Sequence, residues 1–331
     1  MASVFNDDPV QIIDLTISYS LPGSAPVRAV DHASLEIHRG EVIGVLGESG
    51  SGKSTLAAAI LRLLPPNAHY NDGSIMFRGG NLLALAEPEL RRVRGKEISL
   101  ISQDPALSVN PVIRVGDQIS EVVRAHLAMN GSERRQHVEE LLRAVGFDLP
   151  RQIYSAYPHQ LSGGQRQRVG IAQAIACNPV LVIADEPTSK LDAALQAEVL
   201  ILLSEIRKRH GTAFLVISHD PTIFSGFADR IVVMYAGRVV EEGKTADIFR
   251  RPLHPYTQAL VRLSERHLGN ARASRVRFPV IDGEAPDLTH IGIGCRFAPR
   301  CPERMQVCMS CDPRELTPEP FRRVSCFKYG S

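Results

Sequence analysis

The chain has 331 residues, of which 44% are hydrophobic and 22% charged, and its formal net charge is +2. This composition is typical of a globular protein that can bury a core and form two compact units. Tryptophan is absent and aromatic residues make up only 5%, and the basic excess is small. Both features argue against a nucleic-acid partner, because stacking platforms and a basic surface are missing.

No membrane span is expected, because no run of roughly 18 apolar residues occurs. The first eight residues also lack the charged start and apolar middle of a signal peptide. We therefore expect the chain to remain in the cytosol.

The amino-terminal part predicts strands that lead into a glycine-rich loop. Strands are expected at 10–20 and 27–37, where apolar and polar residues alternate, and the apolar run 41–46 predicts a buried strand. The loop that follows has the pattern G-x-x-x-x-G-K-S and precedes the good helix formers of 56–61.

Strand, glycine-rich loop and helix are the context in which this pattern binds phosphates of a nucleoside triphosphate. The loop amides and the helix dipole would attract the phosphates, and Lys53 would add a charge. Ser54 would supply a hydroxyl ligand for Mg²⁺. The predicted nucleotide-binding residues of the loop are Gly47, Glu48, Ser49, Gly50, Ser51, Gly52, Lys53, Ser54 and Thr55.

Further along, a strand pair is expected around 73–77 with a turn at 78–80, and a compact strand at 98–102. Residues 112–152 are helical by period, and Gly146 and then Pro150 should end that region.

Helices then alternate with apolar strands, which predicts a doubly wound parallel sheet covered on both faces. The expected helices are 163–177, 194–210 and 221–228, and the expected strands are 180–184, 213–218 and 230–235. Residues 269–290 have little periodicity and are expected to link this part to a cysteine-bearing tail.

A second phosphate-type turn opens the helix at 163. The residues Ser162, Gly163, Gly164 and Gln165 combine a good N-cap with a glycine pair that lets backbone approach an anion. The chain's own loop already holds the triphosphate, so this turn has no local phosphate to bind. We therefore expect two chains to face head to tail, each placing this turn on the γ-phosphate held by its partner.

Over residues 9–250 the chain resembles the nucleotide-binding subunit of ATP-binding cassette (ABC) transporters, because 161–165 matches the family signature LSGGQ and 181–186 its Walker B strand. The resemblance implies a P-loop NTPase α/β fold with a RecA-like core sheet, an antiparallel β subdomain and an α-helical signature subdomain. Residues 1–250 would form the nucleotide-binding domain, with the helical subdomain at about 106–165, and 251–331 a small cysteine-rich extension.

The resemblance also implies roles for single residues. Asp185 would hold Mg²⁺ directly or through water, and Glu186 would act as general base on the attacking water. Gln103 matches the Q-loop glutamine, which links Mg²⁺ to the helical subdomain, and His219 the switch histidine at the γ-phosphate. Tyr19 lies where the family stacks an aromatic ring on adenine, although a core or edge-strand tyrosine is an equal reading.

One position departs from the family. Lys190 stands in the D-loop where a small residue is usual, so at a dimer interface it could clash or meet a partner acid.

The tail resembles the oligopeptide, dipeptide and nickel importer branch. The segment 254–257 reads HPYT, which marks that branch, and the insert between Gln103 and Leu161 is 57 residues, too short for the coiled coils of DNA-repair relatives.

Five of the six cysteines follow residue 294. In the branch that the tail resembles, four such cysteines can hold a [4Fe-4S] cluster, here Cys295, Cys301, Cys308 and Cys326. Zinc is the main alternative, because Cys311 forms a C-x-x-C pair with Cys308 and makes the fourth ligand ambiguous. Free thiols that pack a small tail are the third.

The resemblance thus implies an ATP hydrolase that energises import of di- or oligopeptides, peripheral on the cytoplasmic face of the membrane. Its partners would be a second nucleotide-binding subunit, a copy or a paralogue, the transmembrane permease subunits and indirectly an extracytoplasmic solute-binding protein. An importer of nickel or another small solute is the alternative within the branch. A soluble non-transport ABC ATPase and a metal- or redox-sensing regulator are alternatives of other classes.

Overall fold

The computed structural model describes residues 10–20, 22–104, 109–267, 281, 283–284, 286–289 and 291–330. The expected absence of a signal peptide falls on residues 1–8, and much of the expected linker falls on 268–280, 282, 285 and 290, so both lie outside the described residues. Within that described part, no helix is long and apolar enough to cross a bilayer.

The chain forms two compact units. The described part of the first unit is Ile37–Glu41 and Ala84–Ile217, and the second unit comprises Val10–Glu36, Val42–Leu83 and Ser218–Ser331.

The second unit begins with an antiparallel sheet followed by the strand and helix that flank the glycine-rich loop. Its strands are β1 (Val10–Tyr19), β2 (Val27–Ile37), β3 (Val42–Leu46), β4 (Ala68–Phe77) and β5 (Gly80–Asn81), and its first helix is α1 (Lys53–Ile60). One sheet has the order β2-β1-β4-β5, in which Met76 faces Asn81 across the expected turn. The predicted strands at 10–20, 27–37 and 73–77 are therefore confirmed.

The first unit contains parallel strands and a group of packed helices. Its strands are β6 (Ile98–Ile101), β7 (Leu181–Asp185) and β8 (Ala213–Ser218), and its helices are α2 (Glu87–Val93), α3 (Val115–His126), α4 (Gly131–Ala144), α5 (Pro150–Ser155), α6 (Gly163–Ile175) and α7 (Ala193–His210), with a 3-10 turn at Pro158–Gln160. The strands β6, β7 and β8 are adjacent and parallel, and all but the last residue of β7 and the third of β6 are buried. Continuous burial fits the apolar runs that predicted a sheet covered on both faces.

The helices α3, α4, α5 and α6 pack on one another. They bury the apolar stripes that predicted helical structure, among them Ile119 and Val123 on α3 and Val138 and Leu142 on α4. The expected end of this region at Pro150 is wrong, because Pro150 is the first residue of α5. Proline fits that position, since a first-turn N–H has no helical partner anyway.

The second unit closes with the rest of its strands and with two helices. The strands are β9 (Arg230–Tyr235), β10 (Arg238–Lys244), β11 (Leu316–Glu319) and β12 (Arg322–Val324), and the helices are α8 (Thr245–Arg250) and α9 (Pro255–His267). Its 3-10 turns include Pro221–Phe224, Ala298–Arg300, Gln306–Met309 and Phe327–Tyr329, and a further 3-10 turn lies at Leu82–Ala84. The strand order is β11-β12-β10-β9-β3, and β3 pairs parallel to β9. The helix expected at 221–228 is wrong in extent, because only the 3-10 turn at Pro221–Phe224 forms there and Gly226 has a positive φ.

A buried ion pair fixes the carboxy-terminal strands to β10. The Glu241 carboxylate accepts hydrogen bonds from the backbone N–H groups of Leu253 and His254, both at 2.8 Å, and from Arg322 at 3.0 Å. Both charged side chains are almost fully buried, 0% exposed for Glu241 and 3% for Arg322.

Replacing Arg322 by methionine should lower the free energy of unfolding by about 3 kcal/mol, because it leaves a buried carboxylate without its charged partner. Arg91→Met is the matched control, since the Arg91 side chain is 77% exposed and pairs with Glu87 on the surface of α2. Its effect should stay within about 0.5 kcal/mol. Urea denaturation of both variants checks this, and equal midpoints for the two would contradict it.

Candidate functional site

The glycine-rich loop connects β3 to α1, and its glycines are required by close approaches. A Cβ on Gly47 would lie 2.3 Å from the Met234 carbonyl oxygen, and a Cβ on Gly52 would lie 2.2 Å from the Ala29 carbonyl oxygen. Gly52 is also the N-cap of α1, in the left-handed region at φ 101°. The loop is therefore held close against neighbouring backbone, and side chains at these two positions would displace it.

Lys53 points back into the loop. Its ammonium donates to the carbonyl oxygens of Gly47 at 2.7 Å and Glu48 at 2.8 Å, and to Ser51 Oγ at 3.3 Å. The side chain is buried, with 6% of the residue exposed. A positive charge is thus fixed inside a ring of backbone at a helix N-terminus, which is the arrangement that attracts an anion.

Tyr19 lies beside the same loop. Its hydroxyl is 3.1 Å from Thr55 Oγ1, and its side chain is half-buried at the end of β1. The position fits a ring beside a bound base, and the hydroxyl contact also fits a purely structural tyrosine.

Glu186 is set at the carboxyl end of β7 by an unusual backbone. Its φ is 50°, a left-handed conformation that non-glycine residues rarely adopt. Its N–H donates to the Ile217 carbonyl oxygen at 3.0 Å, and its carbonyl accepts from the Ser189 N–H and hydroxyl, both at 3.2 Å. Pro187 follows and disfavours the right-handed helical region for Glu186. Asp185 directly precedes it as the last, half-buried residue of β7.

The turn at 162–165 is a capped and exposed helix start. Ser162 Oγ accepts from the Gln165 N–H at 3.2 Å, and the Gln165 side chain accepts from the Ser162 N–H at 2.9 Å. A Cβ on Gly163 would meet no atom within 4 Å, whereas a Cβ on Gly164 would lie 3.3 Å from Leu195. Gly164 therefore serves packing against α7, while Gly163 leaves the helix end open to a second molecule.

Gln103 is exposed just after β6, and its neighbour Asp104 pairs with Lys190. The Lys190 ammonium lies 2.5 Å from Asp104 Oδ2 of the same chain. The D-loop cation that departs from the family pattern therefore has an acid partner within its own chain.

His219 is exposed at the carboxyl end of β8, where Asp220 caps the following 3-10 turn by accepting from the Thr222 N–H at 2.9 Å. The second unit thus carries His219, Tyr19 and the glycine-rich loop, and the first unit carries Gln103, Asp185, Glu186 and the turn at 162–165.

Four cysteines of the tail line one small cavity. They are Cys295, Cys301, Cys308 and Cys326, and the Cys295 N–H donates to the Cys308 carbonyl oxygen at 2.9 Å. Burial raises the pKa of Cys295 to about 11 and also raises the pKa values of Cys301 and Cys326. Cys311 is exposed and does not line the cavity.

Among the side chains that the structure describes, no group of three or more His, Cys, Asp or Glu stands close enough to hold a metal ion. The cysteines therefore share a cavity without forming a ready-made set of ligands.

The HPYT segment has a structural role that the sequence did not reveal. Burial lowers the pKa of His254 to about 3, so its ring is neutral, and its Nδ1 accepts from the Tyr256 N–H at 3.1 Å. Tyr256 is fully buried, and its hydroxyl accepts from the Glu48 N–H in the glycine-rich loop at 2.8 Å. These partners are 208 residues apart. The sequence therefore showed HPYT only as a family motif and did not show its contact with the loop.

Comparison with known families gives two matches. The family described as ABC transporter matches residues 30–189, and the family described as oligopeptide/dipeptide transporter, C-terminal region, matches residues 240–308. Whole-chain relatives include the oligopeptide transport ATP-binding protein AppD of Bacillus subtilis, 42% identical with 94% of each chain covered. The oligopeptide transport ATP-binding protein OppD of Escherichia coli is 41% identical, with 97% of this chain and 94% of that protein covered.

Among solved structures, the dimeric post-hydrolysis state of the ATP-binding cassette MJ0796 bound to ADP and Pi is similar, with a TM-score of 0.64 and 29% identity. The similarity covers 71% of this chain and 98% of that one. Together these matches confirm the predicted P-loop NTPase fold and the resemblance that the motifs carried.

Proposed function

The chain belongs to the ABC transporter family of ATPases, and we propose that it is the ATP-hydrolysing subunit of an importer for di- or oligopeptides. The observation that carries this is similarity along almost the whole chain, 94% for AppD and 97% for OppD, which are oligopeptide transport ATP-binding proteins. It extends through the carboxy-terminal region, where the oligopeptide/dipeptide transporter family matches 240–308.

ATP would bind with its phosphates in the glycine-rich loop. The ammonium of Lys53 would exchange its carbonyl partners for phosphate oxygens, and Ser54 with Asp185 and Gln103 would hold Mg²⁺, whose hard oxygen ligands these residues provide. When bound, Mg²⁺ would neutralise negative charge on the phosphates.

Hydrolysis would use the groups at the strand ends. Glu186 would accept a proton from the attacking water, and its fixed backbone would aim the carboxylate; His219 would orient that water. Tyr19 would stack on the adenine. Catalysis of this kind rests on positioning and on charges fixed in advance.

The nucleotide site would be completed by a second chain. The exposed start of α6 at Ser162 and Gly163, with open space around Gly163, supports an approach by the phosphates that a partner holds. The similar cassette MJ0796 is described as a dimer with ADP and Pi. The pair could be two copies or a copy and a paralogue.

Transport would require permease subunits, which the similarity to oligopeptide transport ATP-binding proteins supports. The first unit exposes large apolar side chains that would serve for docking, namely Val112, Ile113 and Leu149. The chain would then lie peripherally on the cytoplasmic face, and a solute-binding protein outside would deliver the peptide.

The decisive test is co-purification and uptake. A tagged chain expressed with its permease subunits should co-purify with them, and vesicles containing the complex and the binding protein should take up peptide with ATP. A chain that hydrolyses ATP but never associates with a membrane complex would favour a soluble ABC ATPase. Uptake of nickel without peptide would place it in the nickel branch.

The four cysteines that line one cavity would hold a [4Fe-4S] cluster only after they move closer together, since as described they do not form a set of metal ligands. Four sulfur donors of this kind suit iron–sulfur chemistry, and zinc is the competitor. The raised pKa values of Cys295, Cys301 and Cys326 mean that these three thiols stay protonated by themselves, so metal binding would release protons.

Cys308→Ser should remove the metal, whereas Cys311→Ser should retain it, because Cys308 lines the cavity and Cys311 is exposed outside it. Iron, sulfide and zinc content of anaerobically purified protein checks this, together with the brown colour of a cluster. Colourless wild-type protein that contains zinc would contradict the cluster, and equal loss in both serine variants would contradict the assignment of ligands.

A further inference from the structure

Glu48, the second residue of the glycine-rich loop, is held from two sides by the carboxy-terminal part of the chain. Its backbone N–H donates to Tyr256 Oη at 2.8 Å. Its carboxylate accepts two parallel hydrogen bonds from Arg300, 2.7 Å from Nη1 and 3.1 Å from Nη2. A two-bond fork of this kind fixes direction as well as distance.

Arg300 is itself fixed. Its side chain is 6% exposed, and it also donates to the Ile281 carbonyl oxygen at 3.2 Å and to Tyr235 Oη at 3.4 Å. The hydrogen bond from Arg300 to Glu48 raises the pKa of the guanidinium above its ordinary value, so Arg300 stays charged. The backbone of Arg300 ends the 3-10 turn Ala298–Arg300, directly before Cys301.

The second contact, from Tyr256, is held by aromatic packing. The Tyr256 ring packs on Tyr235 with centroids 4.6 Å apart and on Phe297 at 5.4 Å, and Phe297 packs on Tyr235 at 5.1 Å. Phe297 belongs to the same segment as Arg300. The position of the loop therefore depends on residues 295–301 through two contacts, the aromatic packing around Tyr256 and the ion pair between Arg300 and Glu48.

We propose that Arg300 is a positioning residue for ATP binding: through its ion pair with Glu48 it sets the phosphate-binding loop in the conformation that receives the phosphates, with Tyr256 as its second support. The inference rests on the proposed nucleotide site. In this proposal the cysteine-bearing segment 295–301 supports the ATP site. Glu48 is the loop residue through which that support acts.

We expect an effect on ATP binding because the phosphate-binding loop tolerates little displacement. Its amides must converge on phosphate oxygens, and misplacement by about 1 Å can cost about 100-fold in such arrangements. Removing the Arg300 guanidinium would leave the Glu48 carboxylate without its charged partner and free the Glu48 side of the loop. ATP affinity should fall, while the chemical groups at the strand ends remain as they were.

The test measures MgATP binding by calorimetry and steady-state hydrolysis for the full chain. Arg300→Met should raise the Kd and KM for ATP about tenfold, equivalent to about 1.4 kcal/mol, with kcat changed less than about twofold. Arg300→Lys should lie in between, because lysine keeps the charge but loses the fork. Tyr256→Phe should raise the Kd severalfold and serves if Arg300→Met does not fold.

Arg296→Met is the matched control. Arg296 lies in the same segment, its side chain is 9% exposed, and it bonds Asp31 and the Ala236 carbonyl oxygen without bonding the loop directly. It should lower stability while leaving the Kd for ATP unchanged. The exchanged pair Glu48→Arg with Arg300→Glu should recover affinity that Arg300→Glu alone loses.

Wild-type affinity in folded Arg300→Met, or an equal loss in Arg296→Met, would overturn the positioning role. Lys53→Ala distinguishes a failure of the proposed nucleotide site from a failure of the positioning role of Arg300. If Lys53→Ala still binds ATP, the proposed nucleotide site itself fails; if it abolishes binding while Arg300→Met has no effect, only the positioning role fails.

Discussion

Glu186→Gln should lower ATP turnover by a factor of roughly 10² to 10⁴, because a general base is removed while the site keeps its shape. Glutamine cannot accept the proton from the attacking water, yet it is close in size to glutamate and fits the same left-handed backbone position at the end of β7. ATP affinity should stay within about twofold, and the ATP-bound dimer should accumulate, since closure is no longer followed by hydrolysis.

Phosphate release and size-exclusion chromatography with MgATP measure the two effects. Glu205→Gln is the control, because Glu205 is exposed on α7 away from the strand ends. A Glu186→Gln chain that turns over near the wild-type rate would remove the base assignment. A chain that no longer binds ATP would show instead that the substitution disturbs the fold.

Gly163→Asp should reduce ATPase activity by more than about 100-fold, a loss of the size expected when a preorganised donor at the reacting phosphate is removed. The space around Gly163 is open in the single chain, so the added carboxylate leaves the fold intact. In a head-to-tail dimer the same carboxylate would face the γ-phosphate of the partner's ATP, and like charges would repel.

Gly131→Asp is a closely matched control. Gly131 is also the first residue of a helix, follows a capping-box residue, Asn130, and has no atom within 4 Å of a Cβ. It should leave activity unchanged. Mixing Gly163→Asp chains with Lys53→Ala chains should restore activity, because each mixed pair contains one intact loop facing one intact turn. Activity that is independent of protein concentration, or no recovery on mixing, would contradict a site shared by two chains.

Local signals predicted the elements around the loop well. The alternation in 27–37 gave β2 its bounds, and the order of apolar strand, glycines and helix formers located β3 and α1. Predictions of helix boundaries failed where the same residue can either end a helix or begin one. Pro150 was predicted to end a helical region, but it is the first residue of α5. The helix predicted at 221–228 is only a 3-10 turn at Pro221–Phe224. The helix α9 (Pro255–His267) was not predicted from the sequence.

The alternatives for Lys190 could not be decided from the sequence. A D-loop cation could clash with a partner chain or meet an acid on it. In the structure its partner is Asp104, 86 residues away in the same chain. The fourth metal ligand was also undecided, because the spacing allowed either Cys311 or Cys326. In the structure, Cys326 lines the cavity with the other three cysteines and Cys311 does not.

By itself, the sequence determined the family, the phosphate-binding loop and the order of strands and helices, because these depend on residues that are neighbours in the chain. Only the tertiary structure decided which distant residues act on the loop. Glu48 meets Tyr256 and Arg300 across 208 and 252 residues. Such contacts follow from how strands and turns pack in three dimensions, and no local pattern of residues encodes them.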